Sequence, residues 1–236
     1  SFFIIFKFSL KFFENEKLAL ISVIILEGIY FYNFTSPEFN VNISQLPFWA
    51  LSIYYSWKCA KYNKSLDFIL LGIFVALGIL SKYLFVYLVA GIFTYLLIIS
   101  KNSKKKIYLI NCGLAFLTVI LILLPHFIWL IENNYSTISY GLKRTGSENR
   151  ELIDHFYHPG MFILKQIGLL IPFLLLILII NKKTKPKLRL KDKKLFFLFC
   201  VVLLPIAFIF LTSMIMGVKI RTMWMTPFYL FFGVFF

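Results

Sequence analysis

Apolar runs, each about as long as a membrane helix, alternate with short polar breaks along the whole chain. The pattern predicts the end of one helix at 1–10, helices near 17–32, 41–57, 66–80, 84–100, 107–130, 161–181 and 195–217, and the start of another from 223. A hydrocarbon core of about 30 Å takes roughly 20 helical residues to cross. The expected fold is therefore all-α: one domain, residues 1–236, forming a polytopic transmembrane bundle of about eight spans. As a single helix, segment 66–100 would measure about 52 Å at 1.5 Å per residue. Two shorter helices joined at Ser81-Lys82-Tyr83 fit better. Gly72, Gly78 and Gly91 are placed to let those two backbones approach closely. Both chain ends fall inside apolar runs, so this is expected to be an internal portion of a longer protein.

Composition sharpens the picture. Of the residues, 60% are hydrophobic and 15% charged, against roughly 45–50% and 25% in soluble domains, which excludes an ordinary water-soluble globule. The 25 Lys and Arg against 10 Asp and Glu read as membrane topology rather than nucleic-acid binding, because cytoplasmic loops concentrate Lys and Arg. Lys58, Lys61 and Lys64, then Lys101 with Lys104, Lys105 and Lys106, then the run from Lys182 to Lys194 all fall on one side by span counting. With Lys7, Lys11 and Lys17 that side collects 18 basic residues, leaving seven opposite: Lys82, Lys143, Arg144, Arg150, Lys165, Lys219 and Arg221. The first side is expected to be cytoplasmic, and the segment 131–158 is the long extracytoplasmic loop. Cys59, Cys112 and Cys200 show neither disulfide nor zinc spacing.

The cytoplasmic lysines need only a topological explanation, so the chemistry is sought on the outer face, where charge near apolar spans is costly unless used. Glu38 precedes a helix whose first turn carries amides at Asn40, Asn42 and Gln45, and the helix dipole favours a carboxylate there. Lys82 interrupts two helices shorter than a full span, which places its turn in a recess suited to an anion. Lys143 and Arg144 lie in the long loop, where Glu151 to Tyr157 is expected to form a short interfacial helix. Arg221, near Trp224, is suited to bidentate phosphate recognition. His155 and His158 lack a convincing third ligand, and His126 reads as a packed core residue.

The string Ser36-Pro37-Glu38-Phe39-Asn40 running into Leu46-Pro47-Phe48-Trp49, the hairpin Leu70-Leu71-Gly72 through Ser81-Lys82-Tyr83, the exit Leu124-Pro125-His126-Phe127, and Arg221 with Trp224 and Pro227 together resemble the GT-C membrane glycosyltransferases. The resemblance is nearest to the dolichyl-phosphate-mannose–protein mannosyltransferase-like group, family 39 with its bacterial aminoarabinose-transferase relatives. It implies transfer of a sugar from a polyprenyl-phosphate carrier to a lipid, glycan or protein acceptor at the outer face of a bacterial cytoplasmic membrane. An acidic residue in the first outer loop serves such enzymes. That loop is expected upstream of Ser1, and Glu38 stands where many relatives carry Asp. A carboxylate would act as general base, while Lys82, Arg144 or Arg221 neutralises the departing phosphate. A divalent cation could share that role, although no metal ligand set is identified. The competing reading, a transporter or lipid flippase, calls for inverted repeats, and the two halves show no convincing similarity.

Overall fold

The computed structural model describes residues 1–35, 37–100, 105–146, 151–181 and 192–236. Ser36, Lys101, Lys104, Arg150 and the basic run from Lys182 to Lys191 lie outside the described residues. Among the described residues the chain is helical, with no strand. The helices are α1 (Phe2–Phe13), α2 (Glu16–Ile24), α3 (Tyr30–Asn33), α4 (Val41–Tyr62), α5 (Ser65–Ser81), α6 (Val86–Ser100), α7 (Lys105–Glu132), α8 (Ser136–Lys143), α9 (Asp154–Asn181), α10 (Lys193–Leu198), α11 (Leu204–Met216) and α12 (Phe232–Phe235). Side chains cap several of them: Asn15 accepts from the Leu18 N–H, Asn40 from the N–H groups of Asn42 and Ile43, and Asp192 from that of Lys194. At the other end, α1, α4 and α11 close on left-handed residues at Glu14, Asn63 and Gly217.

Three helical stretches, Lys106–Glu132, Asp154–Ile180 and Lys193–Met216, are long and apolar enough to cross a membrane, and Ser65–Ser81 and Tyr83–Ile99 are shorter apolar helices. Two expected spans are not continuous α-helices. Over 17–32 the chain tightens into a 3-10 turn at Ile25–Gly28 and restarts as α3. There Gly28 lies so near the α9 backbone that a Cβ would come within 2.8 Å of Phe173 Cα. The segment expected to open a span at 223 is a 3-10 helix, Thr222–Tyr229, containing Pro227. Tyr32 donates to its Thr226 carbonyl at 2.6 Å, and Met225, Phe228, Tyr229, Leu230 and Phe231 are fully buried in the bundle. The expected interfacial helix at Glu151 to Tyr157 is instead mostly the opening of α9, with Leu152, Ile153 and Phe156 exposed.

α4 is central. It packs on α1, α5, α6 and the Thr222–Tyr229 segment, and Trp49 sits between Phe85 and Phe228 with ring centroids 5.3 and 4.9 Å away. A second aromatic group joins Phe8, Trp57, Tyr95 and Phe197. The three hairpin glycines do permit close approaches: Gly78 within the hairpin, to the Phe85 ring that opens its second arm, and Gly72 and Gly91 to third elements. Gly72 abuts the Ala115 carbonyl of α7, Gly78 lies under the Phe85 ring, and Gly91 faces the Cys200 carbonyl. That carbonyl belongs to a π-helical stretch, Phe199–Leu203, just before Pro205. Proline offers no N–H to the preceding turn, so the helix widens there.

Polar contacts gather at the two ends of the bundle. At one, Asn111 on α7 donates to Asn63 and accepts from Ser65, Lys58 pairs with Asp67, and Lys194 donates to the Phe12 carbonyl. At the other are the turns around residues 28–35, 37–40, 82, 132–146, 151–154 and 217–222.

A Cβ at Gly91 would stand 2.2 Å from the Cys200 carbonyl oxygen, whereas one at Gly113 meets nothing within 4 Å. Gly91→Ala is therefore expected to destabilise the full-length protein by about 1–3 kcal/mol or more. Gly113→Ala should stay within about 0.5 kcal/mol. Thermal unfolding in detergent compares the two, and equal midpoints would contradict the close approach.

Candidate functional site

Asn42 and Lys82 meet at the end of the bundle that also holds the turns at 37–40 and 132–146. Asn40 fixes the first turn of α4 by accepting from two backbone N–H groups, and this directs the buried Asn42 inward. α5 stops at Ser81, and Lys82 adopts an extended conformation before the 3-10 turn Tyr83–Phe85 leads into α6. Lys82 Nζ donates to Asn42 Oδ1 at 2.5 Å and lies 4.9 Å from the centre of the Trp224 ring. Among the described residues no carboxylate pairs with it. Lys82 occupies the turn outside both apolar helices. Burial, and secondarily the Arg144 guanidinium, pull its pKa down to about 7.

The neighbouring Tyr83 hydroxyl bonds His126 Nε2 on α7 at 2.8 Å and Thr137 Oγ1 on α8 at 2.7 Å, while the His126 ring stacks on Trp129. α8 has no buried residue. It is tied near its start by Thr137 and beyond its end by the Lys219 N–H, which donates to the Thr145 carbonyl at 3.1 Å.

Those ties set α8 beside a cavity of about 860 Å³ lined by Lys143, Arg144, Lys165, Lys219, Arg221 and His158, with Tyr30, Phe31, Leu169 and Ile220 among the apolar walls. Local structure explains the convergence of charge. Lys219, Ile220 and Arg221 follow one another in the stretch after α11 and all three line the cavity, Lys219 exposed, Arg221 half-buried and Ile220 buried. His158 and Lys165 stand two turns apart on α9. His158 pairs with Asp154 at 3.3 Å, and His155 donates from Nδ1 to the Met214 carbonyl. Arg144 donates to the Tyr140 hydroxyl at 2.9 Å.

The structure thus divides the residues singled out from sequence. Asn42 and Lys82 form one group, and Lys143, Arg144 and Arg221 line the cavity with Lys165 and Lys219, which the sequence reading had only counted as outer charges. The seven-residue spacing of His158 and Lys165 on α9 was the available signal. Asn40 is a capping residue whose amide also donates to the Glu38 carbonyl. Glu38 itself is exposed, and its N–H donates to Thr35. Among the described residues no group of three His, Cys, Asp or Glu residues could hold a metal ion.

A family model, dolichyl-phosphate-mannose-protein mannosyltransferase, matches residues 1–129, more than half of the chain. No curated protein and no solved structure matches it. With its long apolar helices, this makes the chain an integral-membrane glycosyltransferase of the GT-C type. It belongs to the dolichyl-phosphate-mannose–protein mannosyltransferase family. The matched portion contains Glu38, Asn42 and Lys82, whereas all five Lys and Arg residues of the cavity lie beyond it.

A lysine with a lowered folded-state pKa makes the folded state bind fewer protons than the unfolded state. Stability then rises as pH increases from about 7 towards the ordinary lysine value of 10.5. The full-length protein without substrate is expected to unfold at a higher temperature at pH 9 than at pH 7. Lys82→Met should flatten that difference; an undiminished slope would mean that Lys82 is not its source.

Proposed function

We propose that the protein transfers a sugar from a polyprenyl-phosphate carrier to an acceptor hydroxyl at the extracytoplasmic face. One observation carries this reading: a half-buried ammonium, Lys82, whose hydrogen-bond partner is a neutral amide, beside an aromatic face. Such a site is completed by an anion, and a phosphodiester bearing a sugar supplies one negative charge. The family match supports a lipid-phosphate donor of this kind.

In the proposed reaction a carboxylate takes the proton from the acceptor hydroxyl, and that oxygen attacks the anomeric carbon with inversion. The bond from that carbon to the phosphate oxygen breaks, and the polyprenyl phosphate departs with one more negative charge. Lys82 stabilises that growing charge, with Arg144 near enough to add to it. Glu38, four residues before Asn42 in the loop leading into α4, is the proposed base within this chain. In the corresponding topology the three long helices cross the membrane, and α4, α5 and α6 cross beside them as part of the eight-span arrangement. The lysine-rich turns then lie in the cytoplasm and α8 lies outside.

Single-turnover transfer by the full-length enzyme at saturating donor tests the base. A positioned general base contributes about 10²–10⁴-fold, so Glu38→Gln is expected to slow transfer by that factor; an unchanged rate removes Glu38 from the reaction. The topology has its own check in a cysteine-free background. An impermeant thiol reagent added from outside should label Ser139→Cys on α8 and spare Lys61→Cys, and the reverse pattern would overturn the assignment.

A further inference from the structure

The cavity beside α8 carries more positive charge than a single phosphodiester uses. Lys143, Arg144, Lys165, Lys219 and Arg221 line it, with His158, and none of the described lining residues is acidic. Glu148 and Arg150, outside the described residues, cancel each other in charge. Asp154 faces His158. Among the described residues, no side-chain partner stands within bonding distance of Lys165, Lys219 or Arg221. Like charges gathered around one cavity repel, and a bound polyanion relieves that repulsion.

The cavity is also separate from the Lys82 group. Lys82 and Asn42 do not line it, and its Lys and Arg residues come from chain segments beyond the family match. The two sites are nonetheless close enough for Arg144 to act on Lys82, the adjacency that transfer between a donor and an acceptor requires. Tyr30, Phe31, Leu169 and Ile220 make part of the wall apolar.

We infer that this cavity is the acceptor subsite and that the acceptor is polyanionic, carrying at least two phosphate or carboxylate charges beside the hydroxyl that receives the sugar. The inference rests on the reading of Lys82 as the donor-phosphate site. The anionic group belongs either to a membrane lipid headgroup or to a soluble phosphorylated molecule.

The test uses the full-length protein in phosphatidylcholine nanodiscs in metal-free buffer, with inorganic pyrophosphate as the probe of the cavity. Wild type is expected to bind pyrophosphate, and Lys165→Gln with Lys219→Gln should weaken binding about tenfold or more, since two charge-assisted contacts are lost. Lys165→Arg with Lys219→Arg should restore it, which separates loss of charge from misfolding. Lys82→Met should leave pyrophosphate affinity within about threefold while weakening binding of a polyprenyl-phosphate sugar. Equal weakening of pyrophosphate by Lys82→Met and by the double glutamine variant would mean a single site and overturn the proposal, as would wild-type binding by the double glutamine variant. If Lys82→Met leaves donor binding intact, the donor reading fails while the anion affinity of the cavity stands. Phosphatidic acid in the nanodisc displacing pyrophosphate identifies a lipid headgroup, and displacement by glycerol phosphate alone identifies a soluble acceptor; each supports a polyanionic ligand.

Discussion

An ammonium held away from bulk water needs partners from the protein itself, and Lys82 sets that requirement at a turn between two apolar helices of 17 and 15 residues. Much of this end of the bundle answers it. The first turn of α4 is locked by Asn40 so that Asn42 presents its carbonyl oxygen, and the 3-10 segment begins so that Trp224 presents its ring. Tyr83, the next residue, reaches out to α7 and α8. Elements distant in sequence are thereby assembled around one cation, and its pKa records the cost of holding it there.

The rest of the chain supplies what this arrangement stands on. The aromatic packing of Trp49 against Phe85 and Phe228 fixes α4 relative to the Lys82 turn and to the buried 3-10 segment. The close contact of Gly91 with the π-helical stretch seats α6 against α11. Because α11 ends at Gly217, where a Cβ would come within 3.0 Å of His155, the outgoing chain turns sharply and carries Lys219 and Arg221 to the cavity. Core packing and site geometry are one construction here, with glycines at the points where backbones must nearly touch.

Much of this was legible in the sequence. The break at Ser81-Lys82-Tyr83 followed from helix length alone, and the long helices α7 and α9 followed from their apolar runs, although α9 begins earlier than expected because its first turns continue through Pro159. What hydropathy could not distinguish was a segment apolar because it meets lipid from one apolar because it is buried in protein. Residues 225–231 are of the second kind, and Pro227 with the Tyr32 hydrogen bond keeps the chain through Tyr229 in a 3-10 path. Lys82 and Asn42 were each identifiable, but their pairing across 40 residues was not. Lys165 was hidden for a similar reason: on a long apolar helix a lone lysine looks like an interfacial residue until the tertiary structure brings Lys219 and Arg221 opposite it.

Arg144 touches both halves of this arrangement, lining the cavity while pushing against the proton on Lys82. An anion that neutralises Arg144 removes that push, and Lys82 then keeps its charge to higher pH. Binding free energies are reciprocal, so a proton held on Lys82 in turn strengthens the hold of the cavity on an anion. Proton and anion are thereby taken up together, and a cavity emptied of its ligand loosens the proton on Lys82. The occupant of the cavity thus sets how much positive charge Lys82 can offer, with no movement of the backbone required.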